Sequence, residues 1–371
     1  MKKNKILFVN PYESSLFSFR KELLDRLIDC GYEIVLCINS TERIEKEYAK
    51  KVSKIIDVRM SLKDKNPFSN LRLKKQYRQI IKEEKPDIIL SFGFKPNIYC
   101  GMASKNVPIV ANITGLGNLF SKKGFLFRIG IFLYRKAFKK VDYVLFQNED
   151  EKEFFDDHKI SIHRYQIIPG SGVNTEVFVP GDEAKIFASD IRFLFASRAL
   201  PQKGYDLLLE AIPIVLSSND HCRFTFVSVE EDIFSDKRLM DLVNNNSKVS
   251  VINRVNDMAR LYRDHHFTVA PSFYREGISN ILLESLSCGR PIITTKDNPG
   301  CKEALIDGVN GFGVISNDLD SLVDALNKAA SLDKNQIFKM GSKGREMVIE
   351  KFDRSIVIKT YQNIIEELCK I

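Results

Sequence analysis

Apolar residues come in short unbroken runs along this chain: ILFVN at 6–10, EIVLCIN at 33–39, KIIDV at 54–58, DIILSFG at 87–93, PIVANITG at 108–115, YVLFQN at 143–148 and YQIIPG at 165–170. Runs that do not alternate with polar residues suit strands covered on both faces, as in a parallel sheet. Longer stretches of helical spacing separate them, among them 16–30 and the basic segment 68–84. A second series of strands follows in RFLFAS (192–197), RFTFVSV (223–229), VSVIN (249–253), FTVAPS (267–272) and PIITT (291–295). Three helical patterns close the chain, at 319–331, 334–350 and 354–369. The pattern predicts an α/β protein of two Rossmann-like, doubly wound domains, 1–180 and 185–353, joined through the Pro-, Gly- and charge-rich stretch from Pro180 to Lys185. A ligand is expected where the carboxyl ends of both sheets face one cleft.

Composition narrows the class. With 44% apolar and 28% charged residues, the 371-residue chain is neither a disordered chain nor a disulfide miniature. Its apolar runs fall short of the ~20 residues that cross a bilayer, and Ile6 to Val9 is too short for a signal peptide. The seven cysteines are odd in number, scattered and without a CxxC pair, as expected of reduced thiols in a cytoplasmic protein. Charge is divided unevenly. Residues 1–180 hold 32 Lys+Arg against 21 Asp+Glu (+11) and residues 181–371 hold 24 against 27 (−3), which sum to +8. A basic first half suits an anionic partner, and a solvated lysine-rich surface accounts for it equally. Residues 122–140 sharpen the choice, with seven basic and ten apolar or aromatic side chains. On a helix, Arg128, Arg135 and Lys139 share one stripe. Such a helix either packs inside a domain or lies in a membrane interface.

Chemistry concentrates in YREGISNILLESLSCGRPIITT, residues 274–295. Glu276 and Glu284 stand eight positions apart around a Gly-Ile-Ser-Asn turn that opens a helix. Backbone N–H groups of Ser279, Asn280 and Ile281 at that helix start would suit phosphate oxygens. A carboxylate within the helix can accept two ribose hydroxyls. Helix capping plus a surface charge would produce the same spacing.

EGISNILLE resembles the E-x7-E element of retaining glycosyltransferases with the GT-B fold, the large group often called family 4. The resemblance implies that Glu276 lies by the transferred sugar and Glu284 holds the nucleotide ribose, with Gly277, Ser279, Asn280 and Ile281 around the donor. ASRALPQKGYDLLLEA (196–211) resembles the strand-to-helix element of that family, which assigns Arg198 and Lys203 to the donor diphosphate. Fixed cations there would stabilise charge developing on the departing phosphate. NRVND (253–257) occupies the family's base-contacting position, with Arg254 as its candidate. IIPGSGVNTEVF (167–178), containing Gly172, resembles the segment that leaves the first domain, although Ser171 and Asn174 replace the usual Asn and Asp. DGVNGFGV (307–314) resembles the turn and strand that follow the donor site. The GT-B arrangement also implies that the helix within 354–371 returns to the first domain.

KPNIYCG (95–101), with Lys95, and NITGLGNLFSKKGF (112–125), with Gly115, Gly117 and Asn118, resemble a bacterial branch that elongates lipid-linked oligosaccharides for surface polysaccharides or protein glycosylation. This implies transfer of a hexose or N-acetylhexosamine from a UDP-sugar to a polyprenyl-diphosphate glycan, by a peripheral enzyme at the inner face of the membrane, without a metal or other cofactor. The chain departs from the family in two places. SFGFKPN carries Phe92 and Phe94 where many relatives have a histidine, so no side-chain base is assigned. The first strand leads into Asn10-Pro11-Tyr12-Glu13-Ser14-Ser15 rather than a glycine pair; Ser14 and Ser15 could meet phosphate through their hydroxyls or cap a helix from Leu16. Asp318-Leu319-Asp320 reads as a helix cap, not a metal site. A GT-B nucleotide-sugar epimerase and a non-enzymatic module gripping membrane or nucleic acid remain as alternatives. The basic residues form no aromatic-interleaved nucleic-acid patch, so nucleic acid is not an expected partner.

Overall fold

A computed structural model describes residues 4–60, 67–116, 124–181, 190–227, 231–253, 255–274 and 277–369. The chain divides into two compact units, one of residues 1–171 with 355–371 and one of 172–354. In the first, the elements run β1 (Lys5–Val9), α1 (Glu13–Phe19), α2 (Lys21–Asp29), β2 (Glu33–Ile38), α3 (Glu42–Tyr48), β3 (Lys54–Asp57), α4 (Pro67–Glu84), β4 (Ile88–Phe92), α5 (Phe94–Ala103), β5 (Ile109–Asn112), α6 (Phe125–Phe138), β6 (Tyr143–Phe146), α7 (Glu149–Asp157) and β7 (Tyr165–Ile167). The second holds β8 (Ile191–Phe195), α8 (Tyr205–Ser218), β9 (Cys222–Val227), α9 (Lys237–Asn245), β10 (Val249–Ile252), α10 (Met258–Arg263), β11 (Phe267–Ala270), α11 (Asn280–Ser287), β12 (Ile292–Thr295), α12 (Pro299–Lys302), β13 (Gly311–Val314), α13 (Leu319–Ala330) and α14 (Lys334–Lys351). Helix α15 (Arg354–Cys369) begins at the end of the second unit and continues in the first.

Both sheets are parallel, in the orders β3-β2-β1-β4-β5-β6-β7 and β10-β9-β8-β11-β12-β13. The unbroken apolar runs have their expected cause. Along β1, Leu7 and Val9 enter one hydrophobic core while Ile6 and Phe8 enter the core on the opposite face. Along β8, Phe193 and Phe195 are divided in the same way from Leu194. Strand order reverses between β1 and β4 and between β8 and β11, which opens a crevice beyond the carboxyl ends of each sheet.

α15 supplies Val357, Tyr361, Ile364, Ile365 and Leu368 to the first unit's core. The Tyr361 hydroxyl accepts a hydrogen bond from Asn112 Nδ2 at 2.6 Å, at the end of β5. The helix expected over 16–30 is two helices, broken at Arg20 (φ −132°, ψ −5°). The Arg20 guanidinium, on a largely buried side chain, lies 4.9 Å from the centre of the Phe92 ring. Because α1 starts at Glu13 with Tyr12 before it, Ser14 and Ser15 sit inside the first turn and cap nothing. The Ser15 hydroxyl reaches Asn10 Oδ1 at 3.4 Å.

Candidate functional site

In the second unit, three neighbouring strands, β8, β11 and β12, send loops from their carboxyl ends into one hydrogen-bonded framework. After β8 the chain passes Arg198, exposed, and a short 3-10 turn, Pro201–Lys203, to Gly204. Gly204 has φ +74°, and a Cβ there would lie 2.3 Å from the Pro271 carbonyl oxygen. Only glycine lets the two loops approach this closely. The Phe273 N–H donates to the Gln202 carbonyl at 2.9 Å, and the Ser272 hydroxyl to the same oxygen at 3.3 Å. Lys203 is buried, with its ammonium 5.1 Å from the Tyr274 ring centre.

The β12 loop closes the framework from the other side. Asn298 Nδ2 donates to the carbonyls of Ser272 (2.6 Å) and Tyr274 (3.1 Å), while its Oδ1 accepts from the Gly300 N–H as the cap of α12. The Thr295 hydroxyl donates to the Ser272 carbonyl as well. At the head of α11 the Ser279 N–H is bound to the Gly300 carbonyl at 3.0 Å, so this amide does not belong to a phosphate-facing set. Gly277 is buried, and Asn280 and Ile281 form the first, half-buried turn of α11.

Glu284 stands in the second turn of α11. Its Oε2 accepts a hydrogen bond from the Tyr262 hydroxyl at 2.9 Å. Burial pushes the Glu284 carboxyl up to about 7, against the opposing pull of that hydrogen bond and of the Arg354 charge. Tyr262 of α10 is itself fully buried. Nothing in local spacing singles it out, because it meets Glu284 only through packing of α10 on α11. Glu276 and Arg254 lie outside the described residues.

In the first unit, the described residues read from sequence follow β1 (Ser14 and Ser15), β4 (Lys95) and β5 (Gly115). Gly93 (φ +88°) opens α5, whose first turn buries Lys95. Asn97 accepts from the Ser91 hydroxyl and donates to the Asn112 carbonyl, both at 2.8 Å, which fixes the turn after β4 to β5. Gly115, after β5, has φ +102°. The Gln147 N–H donates to the Glu151 carboxylate at 2.8 Å, and the Gly115 backbone N–H faces the same carboxylate. Burial pushes Glu151 up to about 8 in spite of those two donors. Sequence reasoning missed Glu151, although Asn148-x-x-Glu151 is a capping pattern, and Asn148 does accept from the Glu151 N–H at 2.9 Å. Gly117 and Asn118 lie outside the described residues. Gly172 belongs to the second unit, where its carbonyl accepts from the Arg354 guanidinium at 3.0 and 3.2 Å.

Phe92 is buried in the core and Phe94 packs edge-on against Tyr134, with ring centres 5.1 Å apart. His265 and His266 are buried before β11. Burial drives His266 down to about 4, and its Nδ1 accepts from the Arg192 N–H. Among the described residues, no group of three or more His, Cys, Asp or Glu could hold a metal ion. Asp318 caps α13 by accepting from the Ser321 N–H. No described helix is long and apolar enough to cross a membrane.

Residues 5–148 match the family model described as glycosyl transferase 4-like, and residues 190–331 that of glycosyl transferases group 1. The chain belongs to the glycosyltransferases that combine these two domains. It is 26% identical over 367 residues to an uncharacterized glycosyltransferase of Methanocaldococcus jannaschii, covering 96% of each chain. Among solved structures it is similar to the sucrose-phosphate synthase of Thermosynechococcus elongatus (TM-score 0.82, 15% identity, 99% of each chain). It is also similar to the Anabaena protein HepE in complex with UDP and glucose (TM-score 0.77, 17% identity, 99% of this chain and 100% of that one). The fold is GT-B.

Proposed function

We propose that this glycosyltransferase is a retaining enzyme that moves a hexose or N-acetylhexosamine from a UDP-sugar to a lipid-linked, polyprenyl-diphosphate oligosaccharide in bacterial surface glycan synthesis, without a metal. The observation that carries the proposal is the lacing of the β8, β11 and β12 loops, which holds the Lys203 turn against residues 272–274 by hydrogen bonds. Transfer breaks the bond between the anomeric carbon and the phosphate oxygen and leaves charge on the UDP diphosphate. A cation held rigidly by such a framework stabilises that charge without reorganising during the reaction. In this reading Arg198 and Lys203 grip the diphosphate, with help from Gly277, Asn280 and Ile281, and Glu276 lies beside the sugar. Arg254 meets the base, and Glu284, oriented by Tyr262, accepts the ribose hydroxyls. HepE, crystallised with UDP and glucose, supports a UDP-sugar donor. Ser14, Ser15, Lys95, Gly115, Gly117 and Asn118 serve the acceptor. The basic first domain keeps the enzyme at an anionic membrane surface.

A nucleotide-release assay over UDP-, GDP- and ADP-sugars, with and without a polyprenyl-diphosphate glycan, tests the proposal. UDP release stimulated by the acceptor is expected. Arg198→Ala should lower turnover by roughly 10²–10³-fold with an unchanged unfolding midpoint, and Glu284→Ala should weaken donor use. Full activity in both variants refutes the assignment.

A further inference from the structure

We infer that the outer ridge of α6, with the cations that α4 brings beside it, is the surface by which the first unit docks on an anionic lipid bilayer. The inference names the residues of the membrane contact proposed above and rests on that contact.

The ridge is what remains after α6 has packed. Its inner face buries Gly130, Ile131, Tyr134, Ala137 and Phe138. Gly101 of α5 lies so close that a Cβ there would stand 2.9 Å from the Ala137 carbonyl oxygen. The outer face carries Phe125, 79% exposed, and Phe132, 62% exposed, together with exposed Leu126 and Ile129. At the helical period, Phe125, Ile129 and Phe132 fall within an arc of about 60°. Three large apolar side chains in one exposed ridge, with Leu126 beside it, are more than scattered surface hydrophobics.

Charge decides what the ridge meets. α6 contains no acidic residue. Arg128 and Arg135 flank the ridge, and Lys136 lies within it, its ammonium 6.0 Å from the centre of the Phe132 ring. From α4, Lys74 joins Arg78, Lys136 and Lys140 in a cluster crowded enough that burial and these three cations lower the Lys74 pKa. Like charges gathered in this way are relieved by an anionic surface. Exposed aromatics between long cationic side chains suit an interface where rings enter the acyl boundary and ammonium groups remain among phosphates. A second copy is a poor occupant, because a twofold contact would set these cations against themselves.

The test is co-sedimentation of the full chain with phosphatidylglycerol-containing vesicles and with pure phosphatidylcholine vesicles. Binding only to the anionic vesicles, weakened by salt, is expected. The double variant Phe125→Ser/Phe132→Ser should lose at least tenfold in vesicle affinity. Lys74→Glu and Lys136→Glu should each lose about fivefold or more. Reversal of exposed Lys351 in the second unit should change nothing. All variants should bind the UDP-sugar in calorimetry as the parent does, so the donor site is read separately. If the parent binds anionic vesicles and the α6 and α4 variants bind equally well, this surface is wrong while the membrane contact stands. If the parent binds no vesicle, both fail. A dimer abolished by the serine substitutions, without lipid binding, overturns the inference in favour of a second copy.

Discussion

Two carboxyls withdrawn from solvent set the chemistry that can be read from single residues. Glu284, half-buried in α11, and Glu151, buried in α7, are each pushed upward chiefly by burial, to about 7 and about 8. A carboxyl raised in the folded chain holds its proton longer there than in the unfolded chain, so it penalises folding once ionised. The penalty is absent below the ordinary value of 4.5 and is complete above about 8 for Glu151. Stability from this group therefore falls as pH rises through that window. Glu151→Gln removes the titration and leaves an oxygen to accept a backbone N–H. Relative to the parent, this variant should gain stability from pH 5 to 8, by at most about 1.4 kcal/mol per pH unit. Thermal unfolding of both across that range checks it, and parallel pH profiles would show that Glu151 is not held as described. In sequence Glu151 is one acid among EDEKE, and its burial follows only from the return of α7 to the Gly115 turn.

At the scale of elements, close approach of backbones governs the candidate donor site. Gly204→Ala would force a Cβ to within 2.3 Å of the Pro271 oxygen at a backbone angle that side chains resist. A stability loss of roughly 1–3 kcal/mol is expected. Turnover should fall further than the fraction unfolded explains, because Lys203 moves with the turn. Unfolding curves and UDP release measured on the same preparation separate the two effects; unaltered turnover would detach the turn from the chemistry. Most elements were legible from periodicity, since parallel strands buried on both faces leave continuous apolar runs. The break at Arg20 was not, because the apolar spacing continues across it and only the seat of Arg20 over Phe92 marks the change of axis.

For the whole molecule, the last helix belongs to the first core. α15 contributes five buried apolar side chains there, on the order of 10 kcal/mol of burial at ~1.5–3 kcal/mol each. That is comparable with the ~5–15 kcal/mol that holds a domain folded. A chain ending at Arg354 should lose amide protection across residues 4–171 and retain it across 190–353, as hydrogen exchange would report. Equal protection in both regions would contradict this account.

Local order was written in the chain: the strands, most helices, the glycines of the turns and the two doubly wound domains follow from apolar periodicity and backbone freedom, which act over a few residues. Packing alone decided that Tyr262 holds Glu284, that Glu151 faces the Gly115 backbone, that Asn112 meets Tyr361, and that Lys74 joins the cations of α6. The partners in these contacts stand from 22 to 249 positions apart where hydrogen bonds join Glu284 to Tyr262 and Asn112 to Tyr361. No period in the sequence records such pairs, because they exist only once whole elements have been laid against one another.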